Sequence, residues 1–487
     1  MSDENKSENN TSESTPVYSV EEETPNVEQS DNSVPLETVS EDITPEGISD
    51  APPPIYEENR SKLIFIVVGA IIFLVIFIFV VKFILSFGKA SGSKVTLKYW
   101  GLWEDAAVLQ PLIADYKRKN PNVSIIYTKM DPKSLREKII ARNESVTDRP
   151  DIFRFHNTWL PQLSGVTSPI PKNVMTNEEF EKTFYEVIQK DLKVSNDYYG
   201  IPLEIDGLVL VCNDELFKAS GIESPPTTWD QVISYASKMT VKDGGKILTS
   251  GIAIGTANNI ENFSDILGWM IMQNGGQLDN LTSNEAVGAL EQYRAFADPP
   301  KNLWDETMGN SVQAFAKKQV AMIIVPSWQI LTIKQINPDI KIKTVSLPIV
   351  PGGNQLSLAT YWVEGVSRFS KNQLEAWKFL RFLVEKDNLT KLYQEQTKTR
   401  LFGEPYSRVD LGSTLVQNEY IGPVVAQAKN MKSMPLSSRT YDNGLNDEII
   451  KYLEDAINST GKGVSYIEAF ATADKGVKQV FTKYKIQ

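Results

Sequence analysis

The sequence predicts a two-lobed α/β protein preceded by a disordered tail and one transmembrane helix, and three observations carry that expectation. From Val95 onward, strand-like and helix-like apolar patterns alternate to the end of the chain, which implies sheets covered by helices on both faces. That stretch is longer than one sheet comfortably organises, so two lobes with a ligand-sized junction are the economical arrangement. Ahead of it, "LIFIVVGAIIFLVIFIFVV" at 63–81 contains no charge and no proline.

The chain begins with an acidic segment. Residues 1–60 hold 16 Asp and Glu against Lys6 and Arg60, a net of −14, whereas the whole 487-residue chain is at −11. The remainder therefore carries about +3. Rich in Ser, Thr, Asn, Pro and Glu, this segment cannot bury enough apolar surface to offset its ordering entropy, and disorder is expected.

The apolar run at 63–81 spans roughly 28 Å as a helix, close to the hydrocarbon thickness of a bilayer. It begins too far from the N-terminus, and is too long, for a cleaved signal peptide, so a signal-anchor over 61–87 is expected. Phe83, Ile84 and Leu85 extend it beyond Lys82. Flanking lysines (Lys82, Lys89, Lys94) outnumber Arg60 and Lys62 and lean against an external C-terminal domain. A cytoplasmic tail and an external domain are nevertheless expected, from the character of the domain itself. "GKASGS", within a linker at 88–94, reads as a flexible tether.

"VTLKYW" reads as a first strand. Val108, Leu109, Leu112, Ile113 and Tyr116 then fall at helical spacing within 106–119. "VSIIY" and "DIFRF" read as further strands. Capping boxes are expected at Thr228–Gln231, Thr282–Glu285 and Ser370–Gln373, where a hydroxyl and a Glu or Gln side chain satisfy free amides. Cys212, the single cysteine, lies in the apolar "GLVLVCN". It excludes an intramolecular disulfide framework and a cysteine zinc site, and reads as a small buried hydrophobe.

Catalytic signatures are missing. His156 is the only histidine, which excludes multi-histidine metal sites, and neither a Walker A loop nor a dinucleotide glycine fingerprint occurs. Glu104 and Asp206 could be paired for glycoside hydrolysis, but among 61 acidic residues such a pair is uninformative. No enzyme, cofactor, metal site or nucleic-acid partner is expected.

Polar and aromatic residues do collect beside the strand-like runs. Trp103 and Glu104 follow the first strand, and His156, Asn157 and Trp159 follow "DIFRF". Glu204 and Asp206 precede "GLVLVCN", Trp328 follows "AMIIVPS", and Tyr361 and Trp362 sit in "LATYWVEGVS". Ligands of open α/β sheets bind beyond the carboxyl ends of strands. Flat aromatics that can stack on sugar rings, ringed by carboxylates and amides for the hydroxyls, describe a carbohydrate site. Trp229 and Trp377, inside helices, read as packing residues.

The order of these segments resembles the family 1 extracellular solute-binding proteins, the maltose-binding-protein-like group that serves ABC importers. The resemblance runs through "VTLKYWGLWED", "RPDIFRFHNTW", "AFAKKQVAMIIVPSWQI" and "GVSRFSKNQLEAWKFLRFL". Its most specific stretch is "YYGIPLEIDGLVLVCNDELFKASGIESPPTTWDQVI". It implies two lobes joined by hinge crossovers, here 95–206 with 363–412 and 207–362 with 413–487, closing on a ligand. By position it implies a cleft carboxylate at Asp206 and a stacking aromatic at Trp328. It adds Asn258, Asn259 and Glu261 after "GIAIG", and Arg439 and Tyr441 from a late loop. Two features depart from the family: the apolar anchor with its acidic tail, and Pro326-Ser327 in place of a glycine before Trp328. The implied function is capture of a sugar or oligosaccharide for an ABC permease. A sensor signalling through the helix, a binder of polyamines or metal ions, and an enzyme on the same scaffold are the alternatives.

Overall fold

The computed structural model describes residues 60–87, 94–142 and 148–486, so the expected disordered tail and the "GKASGS" tether lie outside the described residues. A first unit holds helix α1 (Arg60–Phe87). Its large apolar side chains are exposed, Phe73 and Phe79 each at 71%. Among the described residues no helix is long and apolar enough to cross a membrane, so the signal-anchor expected over 61–87 is not shown.

The second unit, from Ser91 on, is α/β. Its principal strands are β1 (Val95–Gly101), β2 (Val123–Lys129), β3 (Ile152–His156), β4 (Ile201–Pro202) and β5 (Asp206–Asn213). They continue with β6 (Met322–Pro326), β7 (Ile342–Val345), β8 (Ser357–Thr360), β9 (Trp362–Val366) and β10 (Met431–Lys432). Two sheets result. One has the order β2-β1-β3-β9-β4, with β1 parallel to β2 and β3 and with β9 antiparallel to β3 and β4. The other runs β6-β5-β8-β10, with β7 also paired to β5. All eight residues of β5 are buried, as a strand covered on both faces and paired on both edges must be.

The chain passes between the sheets three times: from β4 to β5, at Tyr361 between β8 and β9, and between Arg408, bridged to Phe184, and Met431, paired with Ser357. "LATYWVEGVS" is thus two short strands in two sheets. Tyr361 is the link, held by a bond from the Asn157 N–H to its carbonyl at 3.1 Å and from its hydroxyl to Asp191 at 2.7 Å.

Helix α2 (Ala106–Lys119) buries Val108, Leu109, Leu112, Ile113 and Tyr116, the stripe that the spacing predicts. Thr228 caps α3 (Trp229–Met239) by accepting from the Gln231 N–H at 3.4 Å. The next cap falls on Ser283, one residue beyond the expected Thr282. At 370–373 the box does not form. The helix starts at Gln373 with Asn372 at its N-cap; the Ser370 hydroxyl donates to Asp151 at 2.5 Å and accepts from the Asn372 N–H at 3.0 Å, and the Gln373 amide donates to the Arg368 carbonyl. Cys212 is buried in β5.

Candidate functional site

A cavity of about 330 Å³ opens where the ends of the two sheets meet, at the small end of the range for ligand pockets. The end of the first sheet lines it with Trp103, His156, Glu204 and Trp362, and the end of the second with Asp206 and Trp328. A larger groove of about 700 Å³ lies near Leu356, at the opposite end of β8. It is lined by Lys190, Lys429 and Lys432 and has no aromatic side chain, so nothing there offers a stacking surface.

Trp362 is the centre of the aromatic wall. Its ring meets Trp103 at 5.6 Å, His156 at 5.1 Å and Trp159 at 5.4 Å between centroids, each edge-on. Edge-to-face contact of this kind fixes ring orientation. The backbone N–H of Trp362 donates to Glu204 Oε1 at 3.0 Å, tying the wall to the floor. Trp103 and Trp328 are 40% and 38% exposed, leaving faces available to a ligand.

Asp206 begins β5 and its carboxylate reaches across to the end of β6. Oδ1 accepts from the N–H of Gly207 at 2.7 Å and of Ser327 at 3.3 Å, and Oδ2 accepts from Trp328 at 3.2 Å. Trp328 is the N-cap of α4 (Gln329–Ile336), so the carboxylate also sits at a helix start, where negative charge is favoured. Burial pushes its carboxyl up to about 6, against the pull of those donors. His156 is driven by burial down to about 3 and is neutral at physiological pH. Its ring nitrogens bond the hydroxyls of Thr158 at 2.9 Å and Thr360 at 3.0 Å.

Beneath the cavity lies a buried charge network. Arg154 stands 3.6 Å from Glu204, 3.3 Å from Glu364 and 3.5 Å from Glu404. Arg400 is 3.0 Å from Glu104 and 3.8 Å from Glu404. Burial, with the nearby Glu404 charge, raises Glu204 well above the usual carboxylate range, and burial raises Glu364 to about 7. Glu404 is held low despite burial because both guanidinium groups face it.

Of the residues proposed from sequence, Trp103, His156, Glu204, Asp206, Trp328, Trp362, Arg439 and Tyr441 come together around the cavity. Glu104 is one layer behind, bonded by Gln396 and paired with Arg400. Glu261 is also indirect, as the ion-pair partner of Arg439. Trp159 is fully buried under Trp362. Asn157 and Tyr361 are buried too and bond Asp191 at the sheet crossing. Asn258 bonds Glu306, and Asn259 bonds the Asp305 carbonyl, so their amides are spent within lobe 2.

The sequence reading missed the loop "RLFGEP", of which Arg400, Phe402, Gly403, Glu404 and Pro405 line the cavity. A Cβ at Gly403 would lie 2.5 Å from the Tyr393 ring, so only glycine lets this loop lie against that residue. Arginine, aromatic and carboxylate within one Gly-Pro turn were the available signal. Backbone strain marks the rim as well: Trp103, Arg439 and Tyr441 all have positive φ, at 61°, 59° and 56°. Such conformations persist only where their surroundings fix them, and they gather at ligand sites.

The comparisons with known proteins agree with this geometry. A binding protein of Brucella abortus (strain 2308) is 25% identical over 300 residues, covering 58% of this chain and 69% of its own. The multiple sugar-binding protein of Streptococcus mutans serotype c is 23% identical over 323 residues, covering 63% and 75%. The sugar-binding protein MalE from Xanthomonas citri shares the two-lobed fold with a TM-score of 0.66 at 18% identity, over 80% of this chain and 98% of that one. These relatives are binding proteins, not enzymes. The model for "Bacterial extracellular solute-binding protein" matches residues 111–400, more than half of the chain, and the protein belongs to that family.

Proposed function

We propose that this protein is a membrane-tethered external receptor that captures a small carbohydrate between its lobes and passes it to an ABC permease. The observation that carries the ligand class is the cavity itself. Three tryptophans from separate segments (Trp103, Trp328, Trp362) face one space together with Glu204 and Asp206. Rings supply flat apolar faces for the C–H surface of a sugar, and carboxylates accept its hydroxyls once water is displaced. The sugar-binding names of the relatives support the same class. Lobes of 95–206 with 363–412 and of 207–362 with 413–487 would close on the ligand, with Tyr361 at one of the crossings.

Tethering rests on sequence: the uncharged run 63–81 is long enough to span a bilayer. The family's extracellular character favours an outward-facing domain and a cytoplasmic tail. Titrating the full chain in detergent with mono- and disaccharides, followed by tryptophan fluorescence, tests the ligand class. Saturable quenching or a blue shift with at least one sugar is expected. Silence across the panel, with a response to spermidine or divalent metal, would remove the carbohydrate assignment. Resistance of the chain to alkaline extraction from membranes tests the anchor.

A further inference from the structure

The charges around the cavity do not balance. Arg154 and Arg400 are shared among Glu104, Glu204, Glu364 and Glu404. Arg439, at the rim, is paired with Glu261. Asp206 has no cation at ion-pair distance among the described residues; backbone N–H groups and the Ser327 hydroxyl, all neutral donors, hold its carboxylate. It is 5% exposed and lines the cavity beside Trp328.

A lone buried carboxylate is costly, but here the cost is already incurred in the unliganded fold. A ligand that brings positive charge to Asp206 therefore loses only its own hydration while offsetting a charge already dehydrated. A neutral hydroxyl gains one hydrogen bond there and leaves the charge in place. Beside the carboxylate, the exposed indole of Trp328 adds a ring face that attracts a cation. Every other carboxylate of the floor has a guanidinium within 4 Å, which leaves Asp206 as the position where an added cation is worth most.

We propose that the ligand is a basic sugar: a hexose unit carrying a protonated amine, with the ammonium on Asp206 and the ring against Trp328. This rests on the carbohydrate reading of the cavity. Isothermal titration of the full chain at pH 7.5 would compare glucosamine, galactosamine and mannosamine, and the β-1,4 disaccharide of glucosamine. Each is set against its hydroxy and N-acetylated counterpart. An advantage of about 30-fold for one free amine over both counterparts is expected, the scale of a well-placed buried charge pair. It should shrink to within about 3-fold in Asp206→Asn, whose melting curve in the absence of ligand reports whether the variant is folded. It should also shrink in the wild-type protein at pH 5, a check that needs no variant. Equal or better binding of the hydroxy sugars would overturn the basic-sugar proposal and keep the carbohydrate reading. Binding of no sugar in any pair would overturn both.

Discussion

Asp206 Oδ2 accepts the backbone N–H of Trp328 at 3.2 Å, while both side chains line one cavity. The carboxylate at the start of one strand therefore positions the tryptophan that follows the neighbouring strand, and the two are expected to act as a unit. A double-mutant cycle of Asp206→Asn and Trp328→Ala should show clear non-additivity in binding, on the order of 1 kcal/mol or more. Additive losses, measured by titration with the sugar that binds, would separate them.

Trp328→Ala should weaken binding by about 10- to 100-fold, the loss of one stacked face. Because the side chain is 38% exposed, the melting temperature should hardly move, with a change under about 1 kcal/mol. A large loss of stability with binding retained would make it a packing residue.

Trp159→Ala should do the reverse at first order. The side chain is fully buried and packs under Trp362, so a cavity costing about 3–5 kcal/mol is expected in chemical denaturation. Any effect on binding would come through the loosened Trp362 ring.

Arg154→Met should leave Glu204, Glu364 and Glu404 without their shared guanidinium. Removing one member of a buried ion network costs about 3–5 kcal/mol when the other charges stay behind. A thermal melt at pH 8 would read this, and the deficit should narrow toward pH 5 as carboxylates protonate.

Glu364 sits at about 7 in the folded protein, above its ordinary 4.5, because of burial. Between those values the folded state holds a proton that the unfolded state has lost, so this group's contribution falls as pH rises through the window. Glu364→Gln, which carries no titration, should therefore be more stable relative to wild type at pH 8 than at pH 5. The difference should be on the order of 2–3 kcal/mol. Parallel stability curves from pH 5 to 8 would show that the carboxyl is not raised.

Much of the architecture was legible along the chain. Helix α2 buries the stripe its spacing announces, and β5 is the buried strand that "GLVLVCN" suggests. These features depend on a residue's near neighbours, which is what periodicity reports. The break at Tyr361 was not legible, because "LATYWVEGVS" keeps one strand pattern through a change of sheet. Nor was the burial of Trp159: a tryptophan just after a strand has the same local pattern whether another ring covers it or not.

The sequence alone determined that two α/β lobes form, that an uncharged apolar run lies ahead of them at 63–81, and that aromatics and carboxylates cluster near strand ends. Tertiary structure decided which of them share a space. Trp103 and Trp362 meet at 5.6 Å although they are far apart in the chain, and Arg154 reaches Glu204, Glu364 and Glu404 together. Such pairings depend on how separate strands are laid side by side, and no local pattern encodes that order. The same holds for Asp206: the family resemblance marked a cleft carboxylate there, and only its surroundings left it without a cation at ion-pair distance among the described residues.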